Sequence, residues 1–169
     1  MPFCHGDPGE IGRSRIPIAL TRDVKICPLV LLRRNEIFYI LEVVRGRFPF
    51  DALKRKVMEV KQRYGSSTLL IEDSPISHGL VQSLREQSIN VTKYKPDTDK
   101  RARVIAQTDL FAGGSVRLPQ RAGWLEDFTA ELLAFPGRHD DQVDALTQGL
   151  AWGRQRRGEV SVSYVRGLY

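Results

Sequence analysis

A chain of 169 residues with 41% hydrophobic content is long enough for one domain with a real core. No apolar run approaches the ~18 residues of a membrane span, and the opening MPFCHGDPGEIGRSR lacks the apolar centre of a signal peptide, which points to a cytoplasmic protein. Cys4 and Cys27 alone give no reason to expect a disulfide scaffold or a cysteine zinc site, and the net charge of +6 favours a polyanionic partner.

Residues 1–22 read as irregular, because Gly6, Pro8, Gly9 and Gly12 interrupt any pattern. The spacing predicts a strand over 24–32, with Pro28 placing it at an edge or a bulge. Residues 33–36 are a polar turn and 37–44 a second strand, together an antiparallel hairpin. Residues 45–49 read as a connection. Phe50, Leu53, Val57 and Val60 mark a helix that ends near Gly65.

Thr68, Leu69, Leu70 and Ile71 form a continuous apolar run, as expected of a strand buried on both faces, and Glu72 and Asp73 follow it. A loop carrying His78 leads to a helix over 80–87 and a short strand over 90–94. A further helix starts at 97–100, carries Lys100, Arg101 and Arg103, and stops at Gly113 and Gly114. Residues 115–118 are extended, 124–135 helical, and 140–154 the last long helix. The order predicts an α/β fold with a mixed sheet and helices packed on it. We divide the chain into a segment 1–22, a domain 23–155 and a tail 156–169, the tail being either flexible or an added strand.

The stretch around which the chemistry gathers is His139, Asp140, Asp141, Gln142, Val143, Asp144 and Ala145. Val143, Leu146 and Leu150 recur at helical spacing, so the acids sit on the first turn of an amphipathic helix. Asp144 can share a face with Asp140 or Asp141. Crowded carboxylates repel unless a cation lies between them, and Mg²⁺ or Mn²⁺ prefers oxygen ligands. The competing explanation is that these acids cap the helix and complement its dipole. Glu72 and Asp73, just past a buried strand, lie where open α/β sheets bind ligands. Acids at a strand end beside acids at a helix start are how a two-metal phosphodiesterase site is assembled. Water would then attack phosphorus in line, with no covalent enzyme intermediate.

These pieces resemble a known family. Residues 38–45 (FYILEVVR), 69–73 (LLIED), Asp99 and Lys100 with Arg103, 114–119 (GSVRLP), Trp124 and Leu125, Phe135 and Pro136, and 139–145 (HDDQVDA) are similar to the C-terminal nuclease domain of tailed-phage large terminase subunits. The match runs over roughly residues 23–152. The resemblance implies an RNase H-like fold, a mixed sheet flanked by helices on both faces. It implies a metal-dependent endonuclease that cuts double-stranded DNA during genome packaging. It carries a metal-binding and catalytic role to Glu72, Asp140 and Asp141, with Asp144 as a further ligand. Its implied partners are double-stranded DNA, a terminase ATPase domain, the small terminase subunit and the portal, in the cytoplasm of a bacterial host.

The sequence also departs from the family. The first metal-binding Asp of the family lies on the first strand, about ten residues before the position of Asp23, where this chain has Arg13. The acids nearby are Asp7, Glu10 and Asp23. The first strand therefore reads as missing or altered, as in a decayed prophage gene. The alternative to an active nuclease is a catalytically inactive prophage remnant that keeps the fold and DNA or partner binding. Another RNase H-like nuclease, such as a resolvase, is a third reading. No G-x-x-x-x-G-K-[ST] loop occurs, so the chain alone is not the packaging motor.

Among the remaining residues, Lys93, Lys95, Lys100, Arg101 and Arg103 form a basic cluster suited to DNA phosphates, and Arg45 is a further candidate. Each has the alternative of a solvated face or an ion pair. His78 and His139 read as a surface and a capping residue. Trp124, Phe128, Phe135, Trp152 and Cys27 read as packing.

Overall fold

The structure is a computed structural model that describes residues 24–65, 68–75, 77–156 and 160–165. The segment 1–22, with Asp7, Glu10 and Arg13, lies outside the described residues, as does Asp23. The order is β1 (Val24–Ile26), β2 (Leu29–Arg34), β3 (Ile37–Val43), β4 (Gly46–Phe48), α1 (Phe50–Tyr64), β5 (Thr68–Glu72), α2 (Ser77–Glu86) and β6 (Val91–Tyr94). Then follow α3 (Lys100–Ile105), α4 (Thr108–Ala112), β7 (Val116–Arg117), α5 (Leu125–Leu133), α6 (Asp141–Arg154) and β8 (Val160–Val165).

The hairpin forms as predicted: β2 and β3 pair antiparallel, from Leu29 opposite Val43 to Arg34 opposite Ile37. Its turn is Asn35 and Glu36, both left-handed at φ 49° and 63°, which matches the twist of the flanking strands. The single strand expected over 24–32 is two strands, because the segment at Cys27 and Pro28 breaks the ladder. The supposed connection 45–49 contains β4, which pairs antiparallel with β1 as a separate ribbon.

Six strands make the main sheet, in the order β6-β5-β8-β2-β3-β7. It is mixed: β2 runs antiparallel to β3 and β8, while β5 runs parallel to β6 and β8. The residues set apart as a tail thus supply a central strand, and the domain extends past residue 155. A strand preceding a hairpin is expected to pair beside it. Here that place, between β2 and β5, is filled by β8, whose sequence VSVSYV brings no carboxylate.

Helices cover both faces. On β5, Leu70 joins a core with Leu29, Leu31, Phe38, Ile40 and Val162 beneath α5 and α6, while Leu69 and Ile71 face the other way into a core with Leu53, Val57, Leu80 and Leu84 of α1 and α2. This alternation explains the unbroken apolar run.

Helix α6 is less amphipathic than its sequence suggests, since every residue from 142 to 150 is buried. It lies against the sheet at two glycines. A Cβ on Gly149 would stand 2.6 Å from Leu31 Cδ2, and one on Gly153 would stand 2.7 Å from Phe38 Cε1. Phe38 is itself fully buried, so its ring has nowhere to retreat. Gly153→Val should cost about 1–3 kcal/mol through overpacking, seen as a melting temperature several degrees lower. An unchanged melting temperature would mean that α6 stands further from the sheet.

Candidate active site

The candidate acids fall in two sets, one at the carboxyl end of β5 and one at the start of α6. Glu72 closes β5 and sits in register opposite Tyr94 of β6. Asp73 follows on the surface, its backbone N–H donating to the Tyr94 carbonyl at 2.8 Å. Its carboxylate lies 3.1 Å from Lys93 Nζ and 3.2 Å from His78 Nε2. The hydrogen bond from Lys93, then that from His78, holds the Asp73 carboxyl below the ordinary carboxylate range. His78 belongs to the first turn of α2, three residues earlier than expected. The reciprocal bonds of Ser74 and Ser77 start the helix there: the Ser74 N–H donates to Ser77 Oγ at 3.0 Å and the Ser77 N–H to Ser74 Oγ at 3.3 Å.

The second set opens α6. Asp140 is its N-cap residue, yet its side chain makes no capping bond. The cap comes from Glu131 of α5, a buried carboxylate that sequence reasoning missed. Glu131 Oε1 accepts from the Gln142 N–H at 2.6 Å and the Val143 N–H at 3.4 Å, and Oε2 accepts from Gln142 Nε2 at 2.6 Å. Arg45 stands 3.8 Å from the same carboxylate. A negative charge on free helix N–H groups is favoured by both hydrogen bonding and the dipole. The available signal was an acid three residues after Phe128, on the apolar face of α5.

With that role filled, the Asp140 carboxylate turns to Lys100, whose Nζ donates to Oδ1 at 2.7 Å. Asp141 is the half-buried first residue of α6. Asp144, 1% exposed, accepts from the Arg103 guanidinium and lies 3.8 Å from Lys100 Nζ. Arg103 is buried too and donates its other branch to the Thr98 carbonyl. Helix α3 is thus fastened along α6. The single helix expected from about 97 to 113 is two, because Arg154 of α6 takes the Ala106 carbonyl at 3.0 Å where α3 ends, and pairs with Asp109 of α4 at 3.0 Å.

Tyr94 lies within electrostatic reach of the second set. Burial raises its hydroxyl pKa first, then Asp97; Arg103 opposes, and Asp144 adds to the rise. The register partner of Glu72 therefore feels the charges of the α3–α6 pair. Among the described residues, no three His, Cys, Asp or Glu side chains converge as a preformed metal cage. What the donor set offers instead is two carboxylates, Asp140 and Asp144, with an ammonium group between them as a stand-in cation. The oxygen-only set suits Mg²⁺ or Mn²⁺.

The expected basic cluster does not form one patch. Lys100 and Arg103 turn inward to acids, and Lys93 is shared with Asp73, while Lys95 and Arg101 are exposed. His139 is exposed. Cys27, Phe128 and Trp152 are core residues, and Trp124 meets Phe128 edge-on at 5.5 Å. Phe135 lines an apolar pocket between α4, α5 and α6. No helix among the described residues is long and apolar enough to cross a membrane.

A mixed six-stranded sheet with helices on both faces, with acids at a strand end and acids at a helix start, is the architecture of an RNase H-like domain. The sequence model of the terminase RNaseH-like domain matches residues 24–151. The chain belongs to that family and is a nuclease domain of a terminase, as the sequence motifs indicated. The match stops before β8. No curated protein and no solved structure matches the chain.

Proposed function

We propose that the domain cuts double-stranded DNA at genome packaging, with Mg²⁺ or Mn²⁺ held by Glu72, Asp140 and Asp141 and with Asp144 in support. The observation that carries this reading is the capping by Glu131, which releases the first-turn acids of α6 from helix termination. The Asp140 carboxylate at the helix start is thereby held by the Lys100 ammonium group and not by the helix N–H groups, so it already faces a cation. A bound metal would supply an activated water and neutralise charge on the phosphate. The chain itself orients the site: Glu131 fixes the start of α6, and the buried Arg103–Asp144 pair fixes α3 beside it. Arg45, Lys95 and Arg101 suit contact with phosphates. An ATPase domain, the small terminase subunit and the portal are the packaging partners that fit this role.

The test is nicking of supercoiled plasmid with Mn²⁺. Glu72→Ala and Asp141→Ala should each lower the rate at least about a hundredfold, the upper end of what losing even an outer-shell partner costs a metal site. A second reading, a catalytically inactive domain that keeps DNA or partner binding, is favoured by β8, which occupies the central slot without a carboxylate. Salt-sensitive DNA binding with no metal-dependent cutting would decide for it.

A further inference from the structure

We infer that Lys100 is the resident cation of the acidic cluster, its ammonium group holding the place between Asp140 and Asp144, so that a divalent metal binds there only by displacing it. The inference rests on the metal reading above. Lys100 Nζ lies 2.7 Å from Asp140 Oδ1 and 3.8 Å from Asp144 Oδ2. One monovalent cation thus stands between two of the carboxylates proposed for the metal, Asp144 being paired with Arg103 as well.

The backbone that delivers it is fixed. Asp99 caps α3, its Oδ1 accepting from the Arg101 N–H at 2.9 Å and the Ala102 N–H at 3.1 Å, which sets Lys100 as the first helical residue. One turn on, Arg103 anchors α3 to Asp144 and to the Thr98 carbonyl. The two cations differ in what they can do. The Arg103 side chain is 9% exposed, with its planar fork engaged on two sides. The Lys100 side chain is 29% exposed and ends in a point charge on a flexible stem, so it can swing into solvent while α3 stays docked. An ammonium group and a divalent metal drawn to the same carboxylate repel each other, so each weakens the other's hold on Asp140. Lys100 therefore neutralises the helix start in the absence of metal and raises the metal concentration at which the site fills.

The experiment is calorimetric titration of Mn²⁺ into the wild type and into Lys100→Gln, which keeps a donor of similar length but removes the charge. Thermal melts with and without Mn²⁺ accompany it. Binding should be about tenfold tighter or more in Lys100→Gln, the scale of one charge-assisted hydrogen bond, and Mn²⁺ should raise its melting temperature more than that of the wild type. Binding that appears only in the variant gives the same support. Lys100→Met repeats the measurement should Lys100→Gln not melt cooperatively. Equal or weaker binding in both variants overturns the inference and leaves the metal reading standing. No binding in any of the three proteins overturns both.

Discussion

Removal of residues 157–169 should leave a chain that no longer unfolds cooperatively. β8 is hydrogen-bonded on both sides, to β2 from Leu29 opposite Tyr164 to Arg33 opposite Val160, and to β5 from Thr68 opposite Val162 to Ile71 opposite Val165. Without it, β2 and β5 each lose a partner in the middle of the sheet. Buried backbone groups left unsatisfied cost about 1–3 kcal/mol each. A handful of them exceeds the stability of an ordinary domain, about 5–15 kcal/mol in total. The fully buried Val162 also leaves the core beneath α6. Urea denaturation followed by circular dichroism makes the measurement. A truncated chain with the cooperative transition of the full chain would sink the prediction and the strand order with it. A synthetic peptide of residues 157–169 should restore the transition by adding back as a strand.

The central place of β8 shows where the sequence was silent. Local patterns revealed the β2–β3 hairpin, β5 and α6, because period, turn residues and an unbroken apolar run are properties of neighbouring residues. The slot of a strand in a sheet is a long-range property. VSVSYV alternates as any strand does, and nothing in it tells a centre from an edge. The same limit applies at the site. Glu72 and the acids at 140, 141 and 144 stood out because acids follow an apolar run or cluster at a helix start. Glu131 did not, since a single acid in a helix says nothing of which distant N–H groups it meets. The inward turn of Lys100 and Arg103 was equally hidden: a basic helix reads as a surface until the helix it packs on is known.

Replacing Arg103 should be the most damaging single substitution near the site. Arg103→Met removes the guanidinium paired with Asp144, which is 1% exposed, and leaves Lys100 Nζ 3.8 Å away. Breaking a buried pair from one side costs about 3–5 kcal/mol, because the surviving charge keeps its desolvation penalty without its partner. The midpoint of urea unfolding should fall accordingly, and a shift worth less than about 0.5 kcal/mol, the range of an indifferent surface change, would mean that the pair is solvated. The double variant Arg103→Met, Asp144→Leu should recover most of the loss, since apolar groups of similar volume can replace a buried ion pair at little cost. That recovery also separates two roles for Asp144. The double variant retains Glu72, Asp140 and Asp141 on a restored fold. If Mn²⁺ still binds it, Asp144 acts by fastening α3 to α6. If binding is lost while the fold is regained, Asp144 is itself required at the metal.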